Sequence, residues 1–255
     1  MTKTALITGA SSGIGAELAR IHAATRGDLV LVARRKDRLE ALRDELDVKV
    51  LILVEDLTDV GAPARIHAAV TDAGISVDYL VNNAGFGGRG KFHEMPWDDI
   101  RSMVQVNSIA LAGMMRLFLP DFVARGSGRV LNVTSTAAEA SGPLQASYFA
   151  SKAFAANLSN ALVEELSDTN ITVTNFMPTA TASEFAERAG MTNSKLFQNT
   201  TSARQVAQDG YDAMLRGDMD AYGGMGTKRW LMQQMLKRLP KRAALRAVRN
   251  AQEAA

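Results

Sequence analysis

The chain has 255 residues, 47% hydrophobic and 22% charged, with a formal net charge of +2. That is the composition of a soluble globular protein, and the length fits one domain. With no cysteine and only His22, His67 and His93 as histidines, disulfides, thiolate nucleophiles and Cys-ligated zinc are excluded, and no metal site is expected.

The amino-terminal MTKTALITG enters an apolar run directly and carries no cleavage site. No stretch is expected to reach the ~20 apolar residues of a spanning helix. A cytoplasmic location follows as the expectation. The charge is uneven: residues 228–255 hold eight Lys or Arg against Glu253, or +7, which leaves −5 for the rest.

Strand and helix patterns alternate along the chain. Apolar, β-branched or leucine-rich runs at 4–8, 29–33, 50–54, 79–81, 129–134 and 171–177 read as strands. Helical patterns fill 14–26, 38–46, 63–73, 97–125 and 148–168. Such alternation predicts βαβ units and a doubly wound parallel sheet flanked by helices on both faces. The near-continuous apolar strands fit a sheet buried on both sides.

No long linker or internal repeat marks a second domain, so residues 1–225 read as one domain and 226–255 as a basic amphipathic helical extension. Within the domain, 178–203 is rich in Thr, Ser, Ala and Asn and weakly periodic. It follows the sixth strand, and ligands bind beyond the carboxyl ends of the strands in open α/β sheets. A substrate lid is expected there.

ALITGASSGIGAELA places a strand, a glycine turn and a helix in direct succession. Gly9 permits a tight turn, Gly13 lets the backbone approach a pyrophosphate, and Gly15 lets the helix pack on the strand. The spacing is G-x3-G-x-G, without the G-K-[ST] ending of a phosphate loop for nucleoside triphosphates. Taken alone, the turn could also be only a tight connection.

TGASSGIG at 8–15, NNAG at 82–85, Ser135 and YFASK at 148–152, in this order, resemble the short-chain dehydrogenase/reductase superfamily. The resemblance covers about the first 225 residues and implies a single-domain Rossmann-like fold. It also implies hydride transfer between a nicotinamide and a ketone or secondary alcohol. Asn107, Ser135, Tyr148 and Lys152 are the catalytic candidates.

Tyr148 and Lys152 lie four apart, one turn along the same helix face; as a bare pair they could be surface residues. An unperturbed tyrosine titrates near ~10, and a nearby ammonium would bring it closer to neutrality. In the family the matching tyrosine exchanges the proton with the substrate oxygen, and the lysine also holds the nicotinamide ribose. Ser135 ends a strand, where a serine is often a cap; its family counterpart steadies charge on the substrate oxygen. Asn107 matches an asparagine that helps hold the lysine and a water.

The resemblance implies cofactor contacts from Gly9, Ser11, Ser12, Gly13, Ile14 and Gly15 in the first turn. Further contacts are implied from Asp56, Leu57, Asn83, Ala84, Gly85, Tyr148, Lys152, Pro178, Thr181 and Ser183. Asp56 reads equally as an N-cap for the next helix. The family usually has Pro-Gly and then Thr after the sixth strand, whereas this chain reads MPTATASEF. Thr179 replaces the glycine without its φ range, and Ser183 retains a hydroxyl.

LVARRKDRL ends the second strand in Arg34, Arg35 and Lys36 with no carboxylate at the strand end. An acid there would bond ribose hydroxyls, whereas an arginine fork grips a 2′-phosphate. NADP(H) is therefore the expected cofactor, held by Arg34 or Arg35. An exposed helix start is the alternative.

Phe86, Leu144, Phe185, Met191 and Phe197 hint at an apolar substrate pocket, or at packing within the lid. The basic tail reads as two helices broken at Pro240, packed on the body or a neighbouring subunit, or lying on an anionic membrane surface. No aromatic stacking pattern accompanies its charges, so nucleic acid is not expected. The family implies a homodimer or homotetramer. A cofactor-binding sensor or scaffold without turnover, and a lyase or epimerase, are the other functions the fold allows. The four catalytic candidates speak against the former and the short carboxyl-terminal region against the latter.

Overall fold

The structure is a computed structural model and describes residues 2–253. Its strands are β1 (Thr4–Thr8), β2 (Asp28–Ala33), β3 (Val50–Val54), β4 (Tyr79–Asn82), β5 (Gly128–Val133), β6 (Ile171–Pro178), β7 (Thr181–Ala182), β8 (Thr201–Ser202) and β9 (Asp220–Gly223). Seven form one sheet in the order β3-β2-β1-β4-β5-β6-β9, every neighbour parallel, while β7 and β8 pair separately. The order reverses between β1 and β4. At that switch point the connections leave in opposite directions, and a crevice opens at the carboxyl ends.

The helices are α1 (Gly13–Ala24), α2 (Lys36–Asp44), α3 (Ala62–Asp72), α4 (Trp97–Val104), α5 (Leu111–Arg125), α6 (Ala146–Glu165), α7 (Phe185–Arg188), α8 (Ala203–Arg216), α9 (Thr227–Arg238) and α10 (Lys241–Gln252). The two-residue alternation of the strands sorts the core into two layers. Ile7, Leu29 and Leu31 meet Leu18, Ile21 and Met214 on the α1–α8 side. Leu6, Val30 and Leu80 meet Ile66, Met114 and Phe118 on the α3–α5–α6 side. Each such fully buried side chain contributes roughly 1.5–3 kcal/mol.

Three features depart from the sequence reading. The helix expected over 97–125 is interrupted by a π-helical turn at Gln105–Ala110. The helix α8 and the strand β9 lie outside the elements expected. Ser202, assigned to the lid by its composition, caps α8 by accepting from Gln205 N at 3.2 Å. The four residues of β9 include an aspartate and a glycine, too short and too polar to read as a strand until β6 lies beside them.

The stretch Trp97–Arg125 is also long and apolar enough, by length and composition, to cross a membrane, contrary to expectation; half of its most apolar window is buried inside the molecule. Its apolar side chains Met114, Phe118 and Phe122 fill the core instead.

Candidate active site

The crevice opens into a cavity of about 1470 Å³ that runs from the glycine turn past the ends of β4 and β5 to the lid and α10. This exceeds the roughly 300–1,000 Å³ of a typical single-ligand pocket. All but two of the cofactor-contact and catalytic candidates line it: Gly15 and Asn107 stand just behind its wall.

Gly9 and Gly13 take φ of +67° and +55°, a backbone region that favours glycine. A Cβ on Gly15 would collide with Gly9 O, so any side chain there would push α1 off the turn. Ser12 precedes α1 without capping it through its side chain, so the open N–H groups of the first turn face the cavity, as an anion requires. Asn83 ties the turn to β4 by donating from Nδ2 to Thr8 O at 2.9 Å and Gly9 O at 3.2 Å.

Tyr148 and Ser135 come from α6 and the end of β5 and both line the cavity, with the larger upward push of burial on the Tyr148 pKa opposed by the Ser135 hydroxyl, which is placed to draw it down. Ser135 at the same time accepts from Ala137 N at 3.1 Å and caps the short 3-10 turn Thr136–Glu139. The cap reading of this serine therefore holds, and the residue also lines the cavity. Burial pushes the Tyr148 hydroxyl up to about 12 and brings the Lys152 ammonium down to about 8. Lys152 Nζ donates to Val133 O at 2.8 Å and stands 6.0 Å from the Tyr148 ring centre. The expected lowering of Tyr148 by its lysine is absent from this geometry, because the strand carbonyl holds the ammonium and desolvation dominates.

Asn107 lies in the π turn, a widening that often marks functional sites. Its Oδ1 accepts from Phe86 N at 3.0 Å, and its Nδ2 donates to Phe86 O at 2.9 Å and Ser151 Oγ at 3.0 Å. Ser151, in turn, donates to Tyr148 O at 2.7 Å. A Cβ on Gly85 would come within 3.0 Å of Asn107 Oδ1 and 3.2 Å of Lys152 Nζ. Asn107 thus stands across Gly85 from Lys152 and grips the backbone after NNAG. Sequence reasoning missed Ser151, whose place inside YFASK was the available signal.

Asp56 does not cap α3. Its carboxylate accepts from Thr58 N at 3.0 Å and pairs with Arg34 at 3.6 Å; burial pushes its pKa up, but the bonds from Thr58 and Arg34 hold it below the usual range. Arg35 lies over the glycine turn and donates from Nη2 to Ser11 Oγ at 3.0 Å, Ser12 Oγ at 2.9 Å and Glu184 Oε2 at 2.8 Å. The two arginines are therefore separated: Arg34 faces Asp56, and Arg35 faces the two turn serines.

Thr179 adopts no positive φ and binds its N–H to Gly223 O at 3.0 Å. The lid starts by following β9, and the missing glycine is accommodated there. Ser183 packs on the glycine turn, where a Cβ on Gly13 would meet its Cβ at 3.1 Å. Phe185 lies 5.4 Å from the Tyr148 ring and stacks on Phe197 at 6.1 Å. Phe86, Phe185 and Phe197 line the cavity, whereas Met191 is buried and Leu144 takes a φ of +70° in the loop before α6.

The basic extension supplies an unexpected wall. The helices α9 and α10 flank Pro240, and Ala244, Leu245, Val248 and Gln252 form one face of α10 that lines the cavity. Val248 packs with Tyr148, Phe149 and Phe185. Gln252 is 1% exposed, and neither amide atom has a partner among the described residues. On α9, by contrast, Trp230, Leu231 and Met232 remain exposed.

Residues 3–194 match the family model described as short chain dehydrogenase. The chain is 33% identical over 210 residues to an NADP-dependent 3-hydroxy acid dehydrogenase of Salmonella typhi, covering 77% of this chain and 82% of that one. A short-chain dehydrogenase from Sphingobium yanoikuyae in complex with NADPH superposes with a TM-score of 0.82 at 32% identity, over 99% of this chain and 98% of that one. A bulky-bulky ketone specific alcohol dehydrogenase from Comamonas testosteroni superposes with a TM-score of 0.77 at 28% identity, over 99% and 97%. The chain belongs to the short-chain dehydrogenase/reductase family of oxidoreductases.

Proposed function

We propose that the protein is an NADP(H)-dependent oxidoreductase that interconverts a bulky, largely apolar ketone and its secondary alcohol. The observation that carries this is the meeting of Ser135, Tyr148 and Lys152 with the glycine turn in one cavity. The turn and the N-terminus of α1 fit the pyrophosphate, Asp56 the adenine, and Arg35 with the turn serines the 2′-phosphate. NADPH-complexed and NADP-dependent relatives support this choice of cofactor.

When bound, NADPH supplies the hydride for the carbonyl carbon. The chain's own work is to hold and protonate the oxygen. Ser135 Oγ donates to it and steadies the developing negative charge, and Tyr148 delivers its hydroxyl proton as that charge grows. A tyrosine is protonated at neutral pH and burial raises Tyr148 further, so it holds the proton that reduction needs. Lys152, anchored on β5, keeps a positive charge beside the ring. Phe86, Phe185 and the α10 face offer apolar walls, a setting for a substrate bulky on both sides of the carbonyl, as in the Comamonas relative.

The test is NADPH consumption over a panel of bulky ketones. Tyr148→Phe should cut turnover by roughly 10²–10⁴-fold and leave NADPH binding unchanged. No turnover on any ketone would overturn the reading and favour a binding protein of the same fold, and full turnover in Tyr148→Phe would remove Tyr148 as the proton donor.

A further inference from the structure

The sequence singled out arginines at the end of β2 but not the groups they meet. Glu184, in the lid just before α7, reaches across to the glycine turn. Its Oε2 accepts from Arg35 Nη2 at 2.8 Å and from Ser12 Oγ at 3.0 Å. Its Oε1 accepts from Arg38 Nη1 at 2.7 Å. Two guanidinium groups and a hydroxyl thus converge on one small anion, with Ser11 behind them on Arg35. Fork-shaped donors of this kind suit carboxylate and phosphate alike.

The occupant is a carboxylate from the lid, and the position is the end of the second strand beside the glycine turn. We propose that Glu184 is an internal stand-in for the cofactor's 2′-phosphate, that Arg38 is the second guanidinium of that seat, and that a bound 2′-phosphate releases the lid from it. The inference rests on the NADP(H) reading above and adds Arg38, Glu184 and the lid to it.

The energetics favour exchange. The seat is partly open, with Arg35, Arg38 and Glu184 side chains each 40–48% exposed, and ion pairs at such exposure are weak. A carboxylate brings one charge, whereas a phosphate monoester brings about −1.5 to −2 and three acceptor oxygens. The stronger anion displaces the weaker one. Glu184 is ionised throughout the working range, since Arg35, with Ser12 and Arg38, holds it down to about 2 against the upward push of burial. Non-phosphorylated adenosine has nothing to offer the seat and leaves the latch closed. The lid that carries Phe185 over Tyr148 thereby responds to which dinucleotide is bound.

The experiment uses the full chain with adenosine 2′-phosphate and adenosine 5′-phosphate as probes, read by calorimetric dissociation constants and by amide hydrogen exchange in residues 184–188. The 2′-phosphate should bind more tightly and speed exchange in that segment; the 5′-phosphate should leave it unchanged. Glu184→Gln should raise affinity for the 2′-phosphate by about three- to tenfold, leave the 5′-phosphate unaffected, and show fast exchange without ligand. Arg38→Ala should weaken the 2′-phosphate by a similar factor.

Affinity for the 2′-phosphate that falls in Arg35→Ala yet ignores Glu184→Gln and Arg38→Ala would overturn this inference and leave the NADP(H) reading standing. Unchanged lid exchange on binding the 2′-phosphate would do the same. Equal binding of the two probes to the wild type would overturn both.

Discussion

At the scale of the residue, the two arginines that end β2 divide into different roles. Arg34 is tied to Asp56 at 3.6 Å, on the adenine side, while Arg35 bonds both turn serines. If the 2′-phosphate sits with Arg35, Arg35→Ala should lower NADPH affinity by about tenfold to a hundredfold, the range for a hydrogen bond to a charged group. Arg34→Ala should cost less, and NADH affinity should barely change in either variant. Titration of the wild type and both variants with each dinucleotide checks this, and a larger loss in Arg34→Ala would reassign the phosphate. The sequence showed that positive charge ends this strand and that no carboxylate does. It could not separate two adjacent arginines, because which way each side chain turns depends on Asp56 and Glu184, distant in sequence. For the same reason Tyr148 and Lys152 were legible as a pair on one helix face, but the pull of Val133 O on the lysine was not.

At the scale of the element, α1 carries both the glycine turn and one wall of the core. His22 on α1 is 1% exposed and bonds Tyr211 Oη of α8 at 2.9 Å and Lys3 O at 3.0 Å. Burial lowers its pKa, and the backbone bonds offset only part of that. The unfolded chain therefore binds a proton more readily than the native one, so stability is full above about pH 6.5, the unperturbed value, and declines as pH falls below it. Thermal midpoints measured across that range should drop in the wild type and drop less in His22→Gln; parallel curves would show that His22 carries no such linkage. In the sequence His22 was one of three histidines without a role. Its partner lies in α8, a helix that was not among those expected, and no local pattern joins residues 22 and 211. The π turn at 105–110 was hidden in the same way: apolar periodicity ran smoothly through it, and the widening becomes visible only with Asn107 seated on Phe86.

At the scale of the whole molecule, the second helix of the basic extension is part of the wall of the cavity that holds Tyr148. Removing residues 226–255 would leave all seven strands of the main sheet in place but strip Val248 and Gln252 from the wall. The truncated chain should therefore keep its NADPH affinity within about twofold, a change of ~0.4 kcal/mol. It should raise KM for bulky ketones by roughly tenfold or more, since even a methylene's worth of packing in an apolar pocket is worth ~1–3 kcal/mol. Dinucleotide titration and ketone kinetics on the two chains check this; unchanged KM would return α10 to a role in packing or in contact with a subunit or membrane. The tail's charge and Pro240 pointed to two amphipathic helices. Its destination was open, because an apolar stripe on a helix says that something covers it and not what.

The sequence by itself determined the alternation of strands and helices, the glycine turn, and the order of the Ser135, Tyr148 and Lys152 motifs. These are local facts: side-chain periodicity, backbone freedom at glycine and spacing along a helix are written in neighbouring residues. Only the tertiary structure decided that Asn107 grips the NNAG loop, that Thr179 follows β9, that Glu184 sits between Arg35 and Arg38, and that α10 walls the cavity over Tyr148. Each of those is a meeting of segments far apart in the chain, fixed by how the two layers pack on the sheet, and composition and periodicity carry no record of it.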